Sequence, residues 1–294
     1  MSPRVLVPGS VLLDIYADTG ARFLGGAEFN FAYHVHQLGM PLDFLARVGD
    51  DETGRFILTE LSRRGFPTAG IQTDPVKPSK TVVVQKNSLG QPSYCIPVNV
   101  ASEYLEFPAW APGELEAYDL VYFGTSLQHG LQSRTTLRRL LAQSRGIKFC
   151  DLNLRPPRYT EETVAYSLQI CDFLKLNHEE LDVVARLFDL AGNPRERLSA
   201  LARRFDLDGI CLTLAEQGSL LLQGGRFYEK RLLPTTVVDT VGAGDAFSAM
   251  LVVGLLQGWA PEKLLEQASD LAAAVCQIQG AVSAEKEFYQ AFVT

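Results

Sequence analysis

Short apolar runs alternate along this chain with longer stretches in which apolar residues recur every three or four positions, the rhythm of strands feeding helices. The runs at 5–7, 43–48, 120–123, 147–151, 173–176 and 210–214 are too short for stable helices, and each is predicted to be a buried strand. Helices are predicted over 28–38, 52–64, 133–144, 178–188, 195–204, 243–257 and 261–279, with Gly39, Gly65 and Gly146 as stop signals after the first three. Such alternation predicts βαβ units around a mainly parallel sheet with helices on both sides.

Two segments break the rhythm. Residues 80–86 (KTVVVQK) and 93–98 (SYCIPV) flank the polar stretch 87–91 and read as a β-hairpin. It can be a lid over the sheet's carboxyl edge or a decoration of the sheet's side, and the pattern leaves both open. Val82, Val84, Tyr94 and Ile96 recur at every second position, so each strand has one apolar face to cover, by core, substrate or a second chain. A second hairpin is predicted across 212–222, around Glu216-Gln217-Gly218. No repeat or linker divides the chain, so residues 1–294 are expected to form a single α/β domain.

A hydrophobic fraction of 47% and a charged fraction of 21% fit an ordinary globular protein. The net charge of −7, with no basic block, would repel a polyanion and excludes nucleic acid as an expected partner. Cys95, Cys150, Cys171, Cys211 and Cys276 are scattered and odd in number, which suggests reduced thiols rather than a disulfide framework or a zinc site. The most apolar stretch, 246–256, is too short to span a bilayer, and the start does not read as a leader. A cytoplasmic protein without membrane attachment is expected. His34 and His36 are two apart on a predicted helix and do not share a face, so they do not form a paired metal site.

The chemistry concentrates in residues 237–250, VVDTVGAGDAFSAM. Gly242-Ala243-Gly244 opens a helical run, where small residues let an anion approach the free N–H groups and the positive end of the dipole. Asp245 sits in the first turn beside that anion position, where a carboxylate is useful if it takes a proton from an attacking hydroxyl. A glycine turn with an ordinary helix-start charge is an equal alternative on these residues alone. Phe247 stands where a dinucleotide fingerprint needs its third glycine, and no Gly-Lys pair supplies a P-loop.

The segment 239–247, DTVGAGDAF, resembles the second signature of the PfkB (ribokinase-like) carbohydrate kinases. Residues 25–32, GGAEFNFA, followed by Gly39 and Gly49, resemble that family's first signature, and the two occur in the family's order and separation. The resemblance implies a ribokinase-like three-layer α/β/α sandwich with a mainly parallel central sheet and a small β-lid. It implies transfer of a phosphoryl group from ATP to a primary hydroxyl of a sugar, with fructose or a related ketose favoured. Ribose, a nucleoside or a 2-keto-3-deoxy sugar acid is the alternative, as is a non-catalytic regulator on the same fold.

Residue by residue, the resemblance makes Asp245 the base and Gly242, Ala243 and Gly244 the anion hole, with Gly244 also at the nucleotide. Arg155, in a DLNLRP segment similar to the fructokinase branch, would lie by the phosphates and the sugar. Asp14, Gly25, Gly26 and Asn30 would hold the sugar. Asn177 and Glu180 form an N-x-x-E motif in which the glutamate orders Mg²⁺ through water, although the same spacing alone reads as a helix cap. Thr213, Glu216 and Gly218 would face the nucleotide, while Asp239, Thr240 and Ala281 would hold a monovalent cation such as K⁺. In relatives the lid often pairs two subunits, so a homodimer through 80–98 is expected.

The chain departs from the pattern at Glu28, Met250 and Ser269-Asp270, the first two read as lying beside the chemistry. The segment 14–25 is short and leaves little room for extra strands, so the lid is expected to come mainly from 80–98.

Overall fold

Alternation along the strands sends successive side chains to opposite faces of one sheet, and the buried residues accordingly fall into two cores. Val5 and Val7 join one and Leu6 the other; Phe44 and Ala46 are likewise separated from Leu45. In a computed structural model, which describes residues 2–17, 20–86, 92–95, 97–232 and 236–293, both faces are covered by helices.

In chain order the elements are β1 (Val5–Pro8), β2 (Leu12–Tyr16), β3 (Arg22–Gly25), α1 (Ala27–Gln37), β4 (Leu42–Gly49), α2 (Glu52–Arg63), β5 (Ile71–Asp74), β6 (Thr81–Lys86) and β7 (Pro92–Cys95). Then come α3 (Ala111–Glu114), β8 (Leu120–Phe123), α4 (Leu131–Gln143), β9 (Ile147–Asp151), α5 (Glu161–Ile170), β10 (Phe173–Asn177), α6 (His178–Leu187) and α7 (Pro194–Phe205). The last are β11 (Gly209–Thr213), β12 (Ser219–Gln223), β13 (Arg226–Lys230), α8 (Ala243–Leu256), α9 (Pro261–Val275) and α10 (Lys286–Gln290).

Nine strands form the central sheet in the order β13-β12-β11-β10-β9-β8-β1-β4-β5, and β12 alone runs against the others, antiparallel to both of its neighbours. Helices α1, α2, α8 and α9 pack on one face, and α4 to α7 on the other. This is the α/β/α sandwich expected from the sequence. From β1 the chain proceeds to β4 on one side and later to β8 on the other, so a crevice opens at the carboxyl ends of β1 and β8.

The six expected strands of the central sheet are present, and the expected hairpin at 212–222 is the antiparallel pair β11–β12, extended by β13. Edge strand β5 was not anticipated: its IQTD sequence is polar and lacks an apolar run. Helix α5 was also missed, because it buries Thr163 and Ser167 as well as Val164 and Leu168 and so blurs the apolar stripe. Its start is a Thr160–Thr163 capping box.

The small second sheet has the order β3-β2-β6-β7 and corrects the expectation that 80–98 would supply most of it. The short segment around Asp14 does form strands: β2 pairs antiparallel with β3 and parallel with β6. Val82 is 4% exposed and faces inward within its own chain. The turn 87–91, Ile96 and the side chains of Val84 and Tyr94 lie outside the described residues, so the expectations for them are left where they stood. No helix among the described residues is long and apolar enough to cross a membrane, and Cys150, Cys171 and Cys211 are buried free thiols.

Candidate active site

The parallel strands of the central sheet bring their carboxyl ends to one edge, and there a cavity of about 470 Å³ opens beneath the second sheet. Its walls include Ser10 after β1, Thr125 after β8, Asp151 at the end of β9, and Lys175 and Asn177 on β10. The cavity brings together Asp14, Gly26, Asn30, Arg155, Asn177, Glu180, Thr240, Gly242, Gly244 and Asp245, residues predicted separately from distant parts of the chain.

At one end α8 begins. Gly242 caps it with φ 80°, a left-handed conformation that glycine adopts without strain, and a Cβ there would strike Ala281 at 2.5 Å. The N–H groups of Gly244 and Asp245 find no acceptor among the described residues, since a helix's first donors have no partner within it. The Arg155 side chain, on the same wall, is exposed and makes no ion pair or hydrogen bond among the described residues.

Asp245 projects from the first turn of α8. Asn30 Nδ2 donates to its Oδ2 at 2.8 Å, joining two residues 215 positions apart. Asn30 is held there by α1, which is seated on the sheet by Phe31 stacking on Tyr122 with ring centroids 3.5 Å apart. The other amide atom, Asn30 Oδ1, is buried with no partner among the described residues. Burial pushes the Asp245 carboxyl up to about 7, with help from the Asp151 charge and against the Asn30 hydrogen bond, Lys175 and Arg155.

Below this end lies a buried polar network that the sequence did not reveal. Lys175 Nζ is 3.2 Å from both carboxylate oxygens of Asp151, which also accepts from Ser248 Oγ at 2.7 Å and Tyr122 OH at 3.3 Å. Burial pulls the Lys175 ammonium down, but Asp151, Glu180 and Asp245 outweigh it and hold it above its ordinary value. The one available signal was a lysine inside an apolar strand, FLKLN. Glu180 completes the helix cap: its Oε2 accepts from Asn177 N at 2.9 Å, while Asn177 Oδ1 accepts from Glu180 N at 2.9 Å. Its Oε1 accepts from Leu154 N at 2.8 Å, so one carboxylate ties β10, α6 and the Arg155 loop together and still borders the cavity.

The opposite end lies under the second sheet. Asp14 on β2 is pushed up to about 6 by burial, opposed by Lys80. Gly25, which pairs with Leu12 across β2 and β3, does not line the cavity; a Cβ there would land on the Asp14 carboxylate, so the glycine leaves that side chain its place. Gly26 has φ 110° and passes close to the Ser10 carbonyl. Glu28, expected to lie beside the chemistry, is a wall of the cavity: 2% exposed, it accepts from Ser10 N at 3.4 Å and from Ser126 Oγ. Lys80, Glu103, His129 and Arg158 complete this end and were not anticipated.

Other predicted residues stand outside the cavity. Ala243 belongs to the α8 turn without lining it. Thr213 is level with Asn177 on the neighbouring strand, and Glu216 follows in an exposed turn. Gly218 has a backbone reason: with φ 109°, a Cβ would collide with the Lys230 carbonyl. Asp239 accepts from Val241 N at 3.0 Å and Gly280 N at 3.1 Å, and the Ala281 carbonyl accepts from His34 Nε2 at 3.0 Å. Of that trio only Thr240 borders the cavity. Among the described residues, no three His, Cys, Asp or Glu side chains cluster as a metal cage.

A helix start whose Gly244 and Asp245 N–H groups have no acceptor among the described residues, a carboxyl raised toward neutrality and a covered crevice between sheets suit phosphoryl transfer to a hydroxyl group. The chain matches the model of the pfkB family carbohydrate kinases over residues 12–287 and belongs to that family, whose members phosphorylate a sugar hydroxyl. It is 27% identical to the fructokinase of Escherichia coli over 267 residues, covering 87% of this chain and 85% of that one. In fold it is similar to a fructokinase from Xylella fastidiosa with bound ATP, with a TM-score of 0.87, 20% identity and 99% of each chain covered. It is also similar to a fructokinase from Vibrio cholerae holding fructose, ADP and a calcium ion, with a TM-score of 0.83, 22% identity and 100% and 99% coverage.

Proposed function

We propose that this protein is an ATP-dependent sugar kinase that phosphorylates a primary hydroxyl of fructose or a related ketose. The observation that carries the reading is the 2.8 Å hydrogen bond from Asn30 to Asp245, which joins the expected sugar side to the expected base and leaves Asn30 Oδ1 available to a hydroxyl. Asp245, with its carboxyl near 7, takes the proton of the attacking sugar hydroxyl. Asp14 and Asn30 accept or donate to the remaining hydroxyls, with Gly25 leaving the Asp14 carboxylate its place and Gly26 letting the chain pass close to the Ser10 carbonyl. The Gly244 and Asp245 N–H groups at the start of α8 and the Arg155 guanidinium take up charge on the transferred phosphoryl group.

The donor set fits a nucleoside triphosphate with a hydrated divalent ion: the Gly244 and Asp245 N–H groups, without an acceptor among the described residues, and a guanidinium for phosphate, and Glu180 at the wall for water rather than a protein cage. Mg²⁺, when bound, neutralises phosphate charge. Asn177, Thr213, Glu216 and Gly218 continue the same sheet edge toward the rest of the nucleotide. Asp239, Thr240 and Ala281 remain the proposed K⁺ neighbours, acting through backbone oxygens. A homodimer through the second sheet is supported by β3 and β7, its outer strands among the described residues, and sedimentation tests it.

The test is ADP formation with ATP and Mg²⁺ across fructose, ribose, nucleosides and keto-deoxy sugar acids. Fructose-dependent turnover is expected, and Asp245→Asn should lower kcat at least ~10²-fold with nucleotide binding retained. Because the base must be ionised, kcat/KM should rise with pH and level off above about 7. Failure of every sugar to elicit ADP would favour a non-catalytic regulator; a variant keeping most of its activity would remove Asp245 from the chemistry.

A further inference from the structure

Lys175 lies on a central strand and is only 6% exposed, yet its head group reaches the reaction end of the cavity. If its pairing with Asp151 were wholly structural, a sealed position would serve, since burying both charges costs desolvation that the pair barely recovers. This pair is not sealed: both residues are cavity walls. A Cβ at Gly244 would come within 3.2 Å of Lys175 Nζ, so the ammonium sits against the first turn of α8, where the Gly244 and Asp245 N–H groups have no acceptor among the described residues. The second glycine of the turn therefore leaves room for the lysine as well as for an anion.

An ammonium has three donors. Two distances, each 3.2 Å, go to the oxygens of Asp151, and no other acceptor takes the third among the described residues. Asp151 is itself fixed by Ser248 Oγ and Tyr122 OH, so the lysine is held on a braced anchor. Around this single ammonium stand three carboxylates, those of Asp151, Glu180 and Asp245, which keep it protonated.

We propose that Lys175 is a further catalytic residue, contacting the phosphoryl group to be transferred where it meets the start of α8, with Asp151 as the positioning residue that aims it. This rests on the reading of the site as an ATP-dependent kinase. The contact is made to the terminal phosphate, so it is absent when ADP is bound. A purely structural pair would affect both nucleotides alike.

The experiment compares binding of ADP and of an ATP analogue with a non-hydrolysable β–γ bridge, by calorimetry without sugar, in wild type and Lys175→Gln. Since an unpaired Asp151 can unfold the protein, the double variant Lys175→Met with Asp151→Asn, which removes both charges of the pair together, is measured alongside. Both variants should lose ~10-fold or more in affinity for the analogue while ADP affinity stays within ~3-fold, and kcat should fall ~10²-fold or more. Equal loss for both nucleotides, no loss for either, or a wild type that binds neither overturns the proposal. A wild type that distinguishes the analogue from ADP through Lys175 but phosphorylates no sugar leaves this contact standing and sinks the substrate reading instead.

Discussion

Asp245 carries a stability cost along with its proposed chemistry. Burial raises its carboxyl from 3.8 to about 7, so between those values the folded protein binds a proton that the unfolded chain has released. The sign follows: stability contributed by this group is fully present below about pH 4 and is lost as pH rises through about 7. Asp245→Asn should therefore be more stable than wild type at pH 8, by roughly 2–4 kcal/mol, and the difference should vanish near pH 4. Urea unfolding of both proteins at the two pH values measures it; a constant difference would mean that Asp245 is not held near neutrality. Asp14, raised to about 6, adds a smaller cost of the same sign, which cancels in the comparison.

Among the elements, the second sheet was the least legible. Residues 12–16 alternate too weakly to read as a strand, and Asp14 alone reads as a loop carboxylate; what makes a strand of them is pairing with β3 and β6. The register matters to function, because it sets Gly25 beside Asp14 on the neighbouring strand. Gly25→Ala should displace the Asp14 carboxylate and raise the sugar KM ~10-fold or more, leaving nucleotide affinity within ~3-fold. Steady-state kinetics with fructose and a nucleotide titration check this, and an unchanged KM would exclude Asp14 from sugar binding. The N-x-x-E segment was ambiguous between a cap and a site, and the structure makes it a cap whose glutamate also borders the cavity.

Across the whole molecule, the end of the chain is tied to the start of the site. Tyr289 OH donates to His34 Nδ1 at 2.9 Å, and His34 Nε2–H donates to the Ala281 carbonyl at 3.0 Å, beside Gly242. Burial pulls His34 down to about 4, so the unfolded chain takes up a proton from about pH 6.5 that the folded protein refuses. Its contribution is present above about 6.5 and lost as pH falls toward 4, opposite in sign to Asp245. His34→Gln should reduce the acid-induced loss of stability between pH 7 and 4.5 by up to roughly 3 kcal/mol. An unchanged acid limb in urea titrations would show that His34 is not the group responsible. The sequence by itself determined the layer order, the glycine turn, the base candidate and the family, because strand alternation, helix period and contiguous motifs are local properties of the chain. Only the tertiary structure decided that Asn30 meets Asp245, that Lys175 reaches Gly244, and that residues near Asp14 pair as strands. Each of these contacts joins distant segments whose meeting depends on sheet order and register, which no local pattern encodes.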